Sequence, residues 1–274
     1  MNAQLKIKAD DLQPVLSPAE EALLSKLIAE IATDDTLPEP DPESIFVGDG
    51  DYRAIGLEYL GHFVRIGGLK PHHRVLDIGC GIGRMAVPLT QYLDATASYE
   101  GIDPVNEGIQ WCVRNISSVY PNFRFCHLDV AHELYNPQGT MAGNEIALPF
   151  AGNSFDFAFM TSVATHLPVN EIVSYAREIM RLLAPGGRLF LTAFIVVACD
   201  PERANARPQF LRGERSGTWI ADPAAPLGAI GFDDGILQDI LVSAGLKLER
   251  VSFGHWRGIE STHYQDVIIA VKPE

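Results

Sequence analysis

The sequence predicts a doubly wound α/β protein with a seven-stranded, mostly parallel sheet whose C-terminal strand is antiparallel. Short apolar runs alternate with amphipathic helical segments from about residue 45 onward, as they do when helices cross over between parallel strands. The first apolar run ends in a cluster of glycines directly before a helical segment. The last two runs are separated only by residues 254–262, which is too short for a crossover, so we expect an antiparallel hairpin there.

The first 44 residues differ from the rest of the chain. Residues 18–32 carry an apolar stripe at helical spacing, with Ser17 as a plausible N-cap and Pro18 at the first helical position. Residues 34–44 contain three prolines and five acidic residues, a composition typical of a linker. We therefore divide the chain into an N-terminal helix with an acidic, proline-rich linker (1–44) and one domain (45–274).

The remaining elements follow in order along the domain. Strands are expected at 74–79, 98–103, 123–130, 155–162, 187–194, 246–253 and 264–272. Helices are expected at 83–93, 105–119, 171–183 and 231–245. This arrangement is Rossmann-like. Residues 195–230 form the longest irregular insertion, and we expect it to cover an acceptor pocket as a substrate lid, because loops carry specificity.

Composition narrows the range of partners. The 274 residues carry a formal net charge of −14, from 35 acidic and 21 basic residues, which disfavours nucleic acid as a partner. The local exception is a group of four arginines that either forms an anion site or lies in a solvated loop: Arg203, Arg207, Arg212 and Arg215. The N-terminus lacks the apolar core of a signal peptide, and no apolar run reaches the roughly 18 residues of a membrane span. We expect a cytoplasmic protein that does not enter a membrane.

Metal binding is not predicted. The four cysteines are Cys80, Cys112, Cys126 and Cys199, and their spacing matches no C-x-x-C motif. His, Asp and Glu residues likewise show no cluster with the spacing of metal ligands. The simplest interpretation is four reduced thiols in an apparently cytosolic chain.

The glycine cluster in VLDIGCGIGRMAVPL predicts a ligand site at the carboxyl edge of the sheet. Glycines let a ligand approach the backbone closely, and the following helix offers free N–H groups. Gly79 and Gly81 fit the dinucleotide fingerprint, but its final glycine position is occupied by Arg84, and the third glycine is Gly83. No G-K-[ST] follows, so a P-loop is also excluded.

The stretch Asp77-Ile-Gly79-Cys80-Gly81-Ile-Gly83 resembles motif I of class I S-adenosylmethionine-dependent methyltransferases. The resemblance implies that this loop meets the methionine part of the cofactor, with Asp77 suited to its ammonium group.

Two further acids follow the next two predicted strands. Asp103, before Pro104, comes 20 residues after Gly83, the spacing of an acid that accepts from the ribose hydroxyls; the alternative is a turn-forming aspartate. By resemblance to the family, Asp129 contacts the adenine amino group and the N–H of Val130 reads a ring nitrogen. The alternative for Asp129 is a helix cap.

The resemblance covers about residues 45–273 and points to one widespread group of bacterial methyltransferases. Its members commonly read SVFTHL where this chain reads SVATHL, so Ala164 removes a bulky aromatic side chain. In this fold the loop after the fourth strand borders the transferred methyl group. Here it reads TSVATHLP, which is not the Asn/Asp-Pro-Pro-Tyr/Phe motif used on amide-type nitrogen.

Several further side chains complete the predicted site. His166 is the candidate general base, because an imidazole titrates near neutrality; the alternative is a histidine that packs at a helix start. Ser162, at the end of the fourth strand, is assigned to cofactor binding. Tyr52, with Asp49 nearby, lies on the segment expected to fold over the methionine end; otherwise Tyr52 belongs to the core. The group His255, Trp256 and Arg257 either faces the substrate or makes the final hairpin turn.

These inferences lead to one functional prediction with open alternatives. We expect transfer of a methyl group from S-adenosylmethionine to a small-molecule or glycan acceptor, most simply at oxygen. A protein side-chain N-methyltransferase and a non-catalytic cofactor-binding protein are the alternatives. Aminopropyl transfer is disfavoured because TSVATHL lacks paired acids, and nicotinamide chemistry because of Arg84. The sequence does not specify the oligomeric state.

Overall fold

The computed structural model describes residues 16–46, 48, 50–197 and 205–274. The chain forms two compact units. Among the described residues, the N-terminal unit contains 16–142 together with 154–159, and the C-terminal unit contains 143–153 and 160–274. The predicted boundary at residue 44, between an N-terminal segment (1–44) and one domain (45–274), stays a prediction.

The N-terminal unit combines parallel strands with helices. Its helices are α1 (Pro18–Ala32), α2 (Tyr52–Arg65), α3 (Ala86–Tyr92) and α4 (Asn106–Cys112). Its strands are β1 (Arg74–Ile78), β2 (Ser98–Asp103) and β3 (Phe123–His127). The strand β4 (Phe155–Met160) also belongs to this unit as far as residue 159. The strands are parallel in the order β3-β2-β1-β4, with Asp77 beside Gly101 on one side and beside Phe159 on the other.

Helix α1 begins where the sequence predicts. The Ser17 side chain accepts from the Glu20 N–H, and the Glu20 carboxylate accepts from the Ser17 N–H, which completes a capping box after which Pro18 begins the helix. Leu24 and Ile31 are buried, and Glu21 forms a 2.7 Å ion pair with Arg65 of α2. Helix α1 is therefore packed against the unit.

The C-terminal unit is built on a long central strand. Its elements are α5 (Val169–Leu182), β5 (Leu183–Val196), β6 (Leu211–Arg212), β7 (Thr218–Ile220), β8 (Ile230–Asp233), α6 (Ile236–Ser243), β9 (Lys247–Ser252) and β10 (Asp266–Val271). The strand order is β9-β10-β5-β8-β7-β6. β10 is antiparallel to both β5 and β9, whereas β8 is parallel to β5. The predicted antiparallel C-terminal hairpin and the mostly parallel α/β class are confirmed.

Three local predictions are corrected. Residues 231–245 are not one helix: β8 occupies 230–233, and α6 starts only after Gly235, whose φ of 97° interrupts a helix. The segment expected as a single helix over 105–119 is α4 followed by a π-helical turn at Val113–Ser117. The insertion expected to be irregular contributes two short strands, β6 and β7, because they pair antiparallel and β7 adds to β8.

Aromatic side chains fill both units. In the N-terminal unit, Phe63 stacks on Phe159 at 4.3 Å between ring centroids. In the C-terminal unit, residues of the insertion join an aromatic cluster, which we define by its four rings: Phe194, Phe210, Trp219 and Trp256. Among the residues that the structure describes, no helix has the length and apolar composition to cross a membrane.

Candidate active site

The glycine turn after β1 is held by backbone contacts within the N-terminal unit. Gly79, Gly81 and Gly83 have φ values of 81°, 55° and 79°, in the region that favours glycine. The N–H groups of Gly79 and Cys80 both donate to the Ile102 carbonyl, at 2.8 and 3.0 Å. The Gly81 N–H donates to the Asp103 carboxylate at 2.7 Å. The turn from β1 is thus tied to the end of β2.

Asp103 lies at the carboxyl end of β2 and is only 6% exposed. Its second carboxylate oxygen accepts from the Val105 N–H at 2.8 Å, across Pro104. Burial raises the pKa of Asp103 to about 6, and the Val105 and Gly81 N–H groups partly offset this. Asp103 therefore makes the turn, and each carboxylate oxygen retains a lone pair for a ligand hydroxyl.

Asp77 provides an independent indication of a ligand. It is fully buried, and one oxygen accepts from the Tyr99 hydroxyl, whereas Oδ1 has no hydrogen-bond partner among the described residues. Burial raises the pKa of Asp77 well above its usual range, although the Tyr99 hydroxyl lowers it. A buried carboxylate oxygen without a partner is costly, and an ammonium group or a water bridging to one would satisfy it.

Asp129 and Val130 follow β3. The Asp129 carboxylate accepts from the Thr140 hydroxyl at 2.6 Å and from the Asn136 amide at 3.2 Å, and these bonds lower its pKa. The residues after Asp129 form bridges with 136 and 141 instead of a helix, so the helix-cap alternative is wrong. The Val130 N–H donates to the Leu128 carbonyl at 2.7 Å. A reading of an adenine nitrogen by this N–H stays a prediction.

Tyr52 lies at the start of α2 and is 4% exposed. Its hydroxyl donates to the Ile82 carbonyl inside the glycine turn at 2.9 Å, and its ring meets Trp111 edge-on. Arg84 occupies the last glycine position of the dinucleotide fingerprint, and its guanidinium donates to the Gly48 carbonyl at 3.2 Å. Tyr52 thus braces the turn through its backbone; its contact with a cofactor stays a prediction, and Asp49 lies outside the described residues.

The loop after β4, residues 161–168, belongs to the C-terminal unit and carries the other two predicted residues. Ser162 has a φ of 59°, which is uncommon for a residue with a side chain. His166 ends the 3₁₀ turn Ala164–His166, and its Nδ1 lies 2.9 Å from the Leu227 carbonyl of the insertion. Because a carbonyl only accepts, Nδ1 carries the proton, and Nε2 is the basic nitrogen of the neutral ring.

Two residues near Ser162 were missed by the sequence analysis. The Thr192 hydroxyl on β5 accepts from the Ser162 N–H at 2.7 Å, and the Gln265 amide donates to the Ser162 hydroxyl at 2.9 Å. Thr192 and Gln265 are polar residues within the largely apolar runs TAF and YQDVIIA. This polarity is the one signal in the sequence that could have indicated their role.

Several other candidates have structural explanations. Arg212 pairs with Asp233 at 2.8 Å and lies over Trp219, so it does not converge with Arg207 or Arg215 on an anion site. Arg257 is 3% exposed and donates to the Ile195 carbonyl, which favours the hairpin alternative. Arg203 and Cys199 lie outside the described residues. In the described part of the chain, no group of His, Cys, Asp or Glu could hold a metal ion.

Comparison with known proteins finds similarity to methyltransferases over part of the chain. Residues 76–191 match the family model described as a methyltransferase domain. A 24-methylenesterol C-methyltransferase 2 from Oryza sativa subsp. japonica is 29% identical over 168 residues, covering 58% of this chain and 42% of that protein. The chain therefore spans less than half the length of this relative.

Two solved structures resemble the fold. A S-adenosylmethionine-dependent methyltransferase from Methanosarcina mazei has a TM-score of 0.50 at 23% identity, covering 75% of this chain and 94% of that one. The cyclase SpnF has a TM-score of 0.52 at 19% identity, covering 93% and 95%. The fold thus also occurs in a protein named for cyclisation, so fold alone does not define the reaction.

Residues 76–191 of the chain therefore match a methyltransferase domain. S-adenosylmethionine is the cofactor of this domain. The residues present fit it: the orphaned Oδ1 of Asp77 suits the methionine ammonium, and the Asp103 carboxylate suits ribose hydroxyls.

Proposed function

We propose that the whole chain is a S-adenosylmethionine-dependent methyltransferase that acts on a small-molecule or glycan acceptor, with a hydroxyl oxygen receiving the methyl group. The observation that carries the proposal is the hydrogen bond from the Gly81 N–H of the glycine turn to Asp103. Both residues lie in the part of the chain that matches the methyltransferase family model. The bound cofactor supplies a methyl group on a sulfonium, which is already activated toward a nucleophile. The protein's task is to position the acceptor and to remove its proton.

His166 is proposed as the general base for that proton. The Leu227 carbonyl holds the proton on Nδ1, which leaves Nε2 as the nitrogen that takes the hydroxyl proton. The methyl carbon would bond to the acceptor oxygen as its bond to the sulfonium sulfur breaks, so that S-adenosylhomocysteine leaves and the acceptor's proton resides on the imidazole. A fixed tautomer supports this assignment because a base must present its lone pair without a prior rearrangement.

The insertion is proposed as a wall of the acceptor pocket. Its turn Pro226–Gly228 contains Leu227, so the insertion contacts the proposed base directly. Its described residues form a small antiparallel sheet with an aromatic cluster, which favours a rigid wall. Residues 198–204 of the predicted lid lie outside the described residues.

Carbon is the second candidate for the acceptor atom. The relative from Oryza sativa is named a C-methyltransferase of a sterol, which favours an alkene carbon. Addition of the methyl group to an alkene leaves a cation, and a base then removes a proton from a neighbouring carbon. The same Nε2 of His166 would serve in that step, so the histidine does not distinguish oxygen from carbon.

The test combines an acceptor panel with the His166→Ala variant. Wild-type protein is incubated with methyl-labelled S-adenosylmethionine and simple sugars, phenols, sterols or a protein mixture, and products are identified by mass spectrometry. We expect labelled O-methyl products, and turnover that falls about 100-fold in His166→Ala, the scale of a lost general base. Affinity for S-adenosylhomocysteine, measured by calorimetry, should stay the same.

The control is His255→Ala, which removes an exposed histidine of the same unit and should leave turnover unchanged. Label on an alkene carbon would replace oxygen by carbon as the acceptor. Label on protein lysine or arginine would instead select the side-chain N-methyltransferase. Unchanged turnover in His166→Ala would remove this residue from the mechanism, and cofactor binding without any methylated product would favour the non-catalytic alternative.

A further inference from the structure

Ser162 has an unusual backbone conformation. Among the described residues, Ser162 and Asn153 are the two non-glycine residues with positive φ, at 59° and 60°. A residue with a side chain adopts this region only when its surroundings determine it, and such residues concentrate at functional sites. Ser162 follows β4 directly and begins the loop that ends at His166.

A closed ring of hydrogen bonds determines this conformation. The Ser162 N–H donates to the Thr192 hydroxyl at 2.7 Å. The Thr192 hydroxyl donates to the Gln265 side-chain oxygen at 2.6 Å, and the Gln265 amide nitrogen donates to the Ser162 hydroxyl at 2.9 Å. We call these three residues the Ser162 ring. Because both ends of the Gln265 amide are engaged, its orientation is fixed.

The ring is buried among apolar strands. Thr192 is 1% exposed and Gln265 is 6% exposed. On either side, Leu191, Ala193 and Val267 are almost completely buried. A hydroxyl and an amide in such a place are tolerated because they satisfy each other, and a valine would fill the Thr192 position without any polar group. The ring therefore specifies one conformation rather than simply filling the core.

The ring is connected to His166 by short local contacts. The Thr165 hydroxyl donates to the Ser162 carbonyl at 2.8 Å, and the His166 N–H donates to the Val163 carbonyl at 2.9 Å. His166 lies four residues after the anchored Ser162, and its ring is held in turn by the Leu227 carbonyl. The conformation of Ser162 thus sets the direction in which this turn leaves the strand.

We propose that Thr192 and Gln265 are positioning residues for methyl transfer: they hold Ser162 in its left-handed conformation and thereby aim the turn that carries His166. This inference rests on the proposed function of His166. Neither residue touches the acceptor in this role, since both act through Ser162. Loss of the ring lets the loop relax, and the imidazole loses its alignment although the cofactor residues of the N-terminal unit are untouched.

The test uses a matched pair of substitutions at one position. Thr192→Val removes the hydroxyl and keeps the branched shape, whereas Thr192→Ser keeps the hydroxyl. In the valine variant we expect amide exchange over residues 161–168 to rise about tenfold as the loop opens more often. Turnover should fall about tenfold from misalignment, with affinity for S-adenosylhomocysteine within about threefold of wild type. Thr192→Ser should restore exchange and turnover.

Nitrogen NMR of the His166 imidazole supplies a readout that needs no acceptor. Wild type should show the tautomer with the proton on Nδ1, and Thr192→Val should show a mixture of tautomers. The proposal is overturned if Thr192→Val leaves exchange, tautomer and turnover unchanged, or if Thr192→Ser loses as much as Thr192→Val. If no acceptor is methylated by wild type while the exchange and tautomer effects are present, the function fails and the holding role of the ring stands.

A second variant keeps the test decisive if Thr192→Val folds poorly. Ser162→Gly relieves the left-handed conformation, because glycine adopts it at no steric cost, and retains the N–H donor. If the ring serves to hold Ser162, Thr192→Val should cost less activity in the Ser162→Gly background than alone. Additive losses in this double-mutant cycle would contradict the proposal.

Discussion

The glycine turn and the loop after β4 are held in contrasting ways. In the glycine turn, Gly81 and its carboxylate partner Asp103 are 22 residues apart in sequence, and most contacts are made by backbone groups. In the loop, Ser162 depends on side chains 30 and 103 residues away, and His166 on a carbonyl 61 residues away. The predicted cofactor turn is therefore held within one short motif, whereas the loop that carries the proposed base depends on long-range contacts.

The largest expected effect tests how strongly long-range side-chain contacts hold the C-terminal unit. Asp266 is fully buried and accepts from the N–H groups of Ile195 and Gly254 at 2.6 and 2.8 Å, and it lies 3.4 Å from the buried guanidinium of Arg257. We expect Asp266→Ala to lower the free energy of unfolding by about 3–5 kcal/mol, because a buried cation loses its carboxylate. Urea denaturation measures this difference.

The control for that prediction is an ion pair of the same unit at the surface. Glu249 pairs with Arg188, and its side chain is 46% exposed. Glu249→Ala should cost at most about 1 kcal/mol, since exposed pairs are well solvated. If both variants lose the same free energy of unfolding, the buried contacts of Asp266 contribute no more to stability than an exposed ion pair.

The second prediction concerns the local motif. We expect Asp103→Ala to lower the affinity for S-adenosylhomocysteine by about 1–3 kcal/mol, because hydrogen bonds between a charged group and ribose hydroxyls are lost. The matched control is Asp94→Ala, since Asp94 also accepts from an N–H two residues ahead, that of Thr96, but at an exposed turn. Calorimetry on both variants checks the difference, and unaltered binding in Asp103→Ala would rule out the ribose role.

The third and smallest effect is a pH dependence that separates binding from stability. The folded-state pKa of Asp103 is raised by burial from 3.8 to about 6. Between these values the folded protein keeps a proton that the unfolded chain has released. The stability that this group contributes is therefore full below pH 3.8 and is lost as the pH rises through 6. Asp266, whose pKa is also raised to about 6 by burial, acts in the same direction.

Binding should follow the opposite direction. A carboxylate accepts ribose hydroxyls better than a carboxylic acid, so the affinity for S-adenosylhomocysteine should rise by up to about tenfold from pH 5 to pH 7. Calorimetry at pH 5, 6 and 7 measures this, and Asp103→Asn should flatten the profile because the amide does not titrate in this range. A profile that keeps its slope in Asp103→Asn would assign the effect to another group.

The contrast between the two regions also explains how far the sequence predicts the structure. The N-cap at Ser17, the strands around the glycine turn and the C-terminal hairpin follow from residues close in sequence, and the structure confirms them. The helix expected over 231–245 is wrong because pairing of residues 231–233 with β5 overrides helical periodicity. A local sequence pattern contains no information about pairing with a strand as distant in sequence as β5.

The site shows the same division. The chain positions of Asp77, Asp103 and the glycines at the ends of β1 and β2 could be read from spacing. The partners of Ser162 and His166 could not, because Thr192, Gln265 and Leu227 converge only after β5, β10 and the insertion have folded. A buried threonine or glutamine in an apolar strand is the sequence signal that such a convergence leaves.

The aromatic cluster of the C-terminal unit has a consequence for which residues of the insertion tolerate substitution. Phe210 and Trp219 of the insertion pack with Phe194 and Trp256, so the insertion shares a hydrophobic core with strand β5. Outward-facing residues such as Leu211, which is 57% exposed, can therefore be exchanged without loosening the segment. The fold of the insertion and the chemistry of its outer surface are therefore set by different residues.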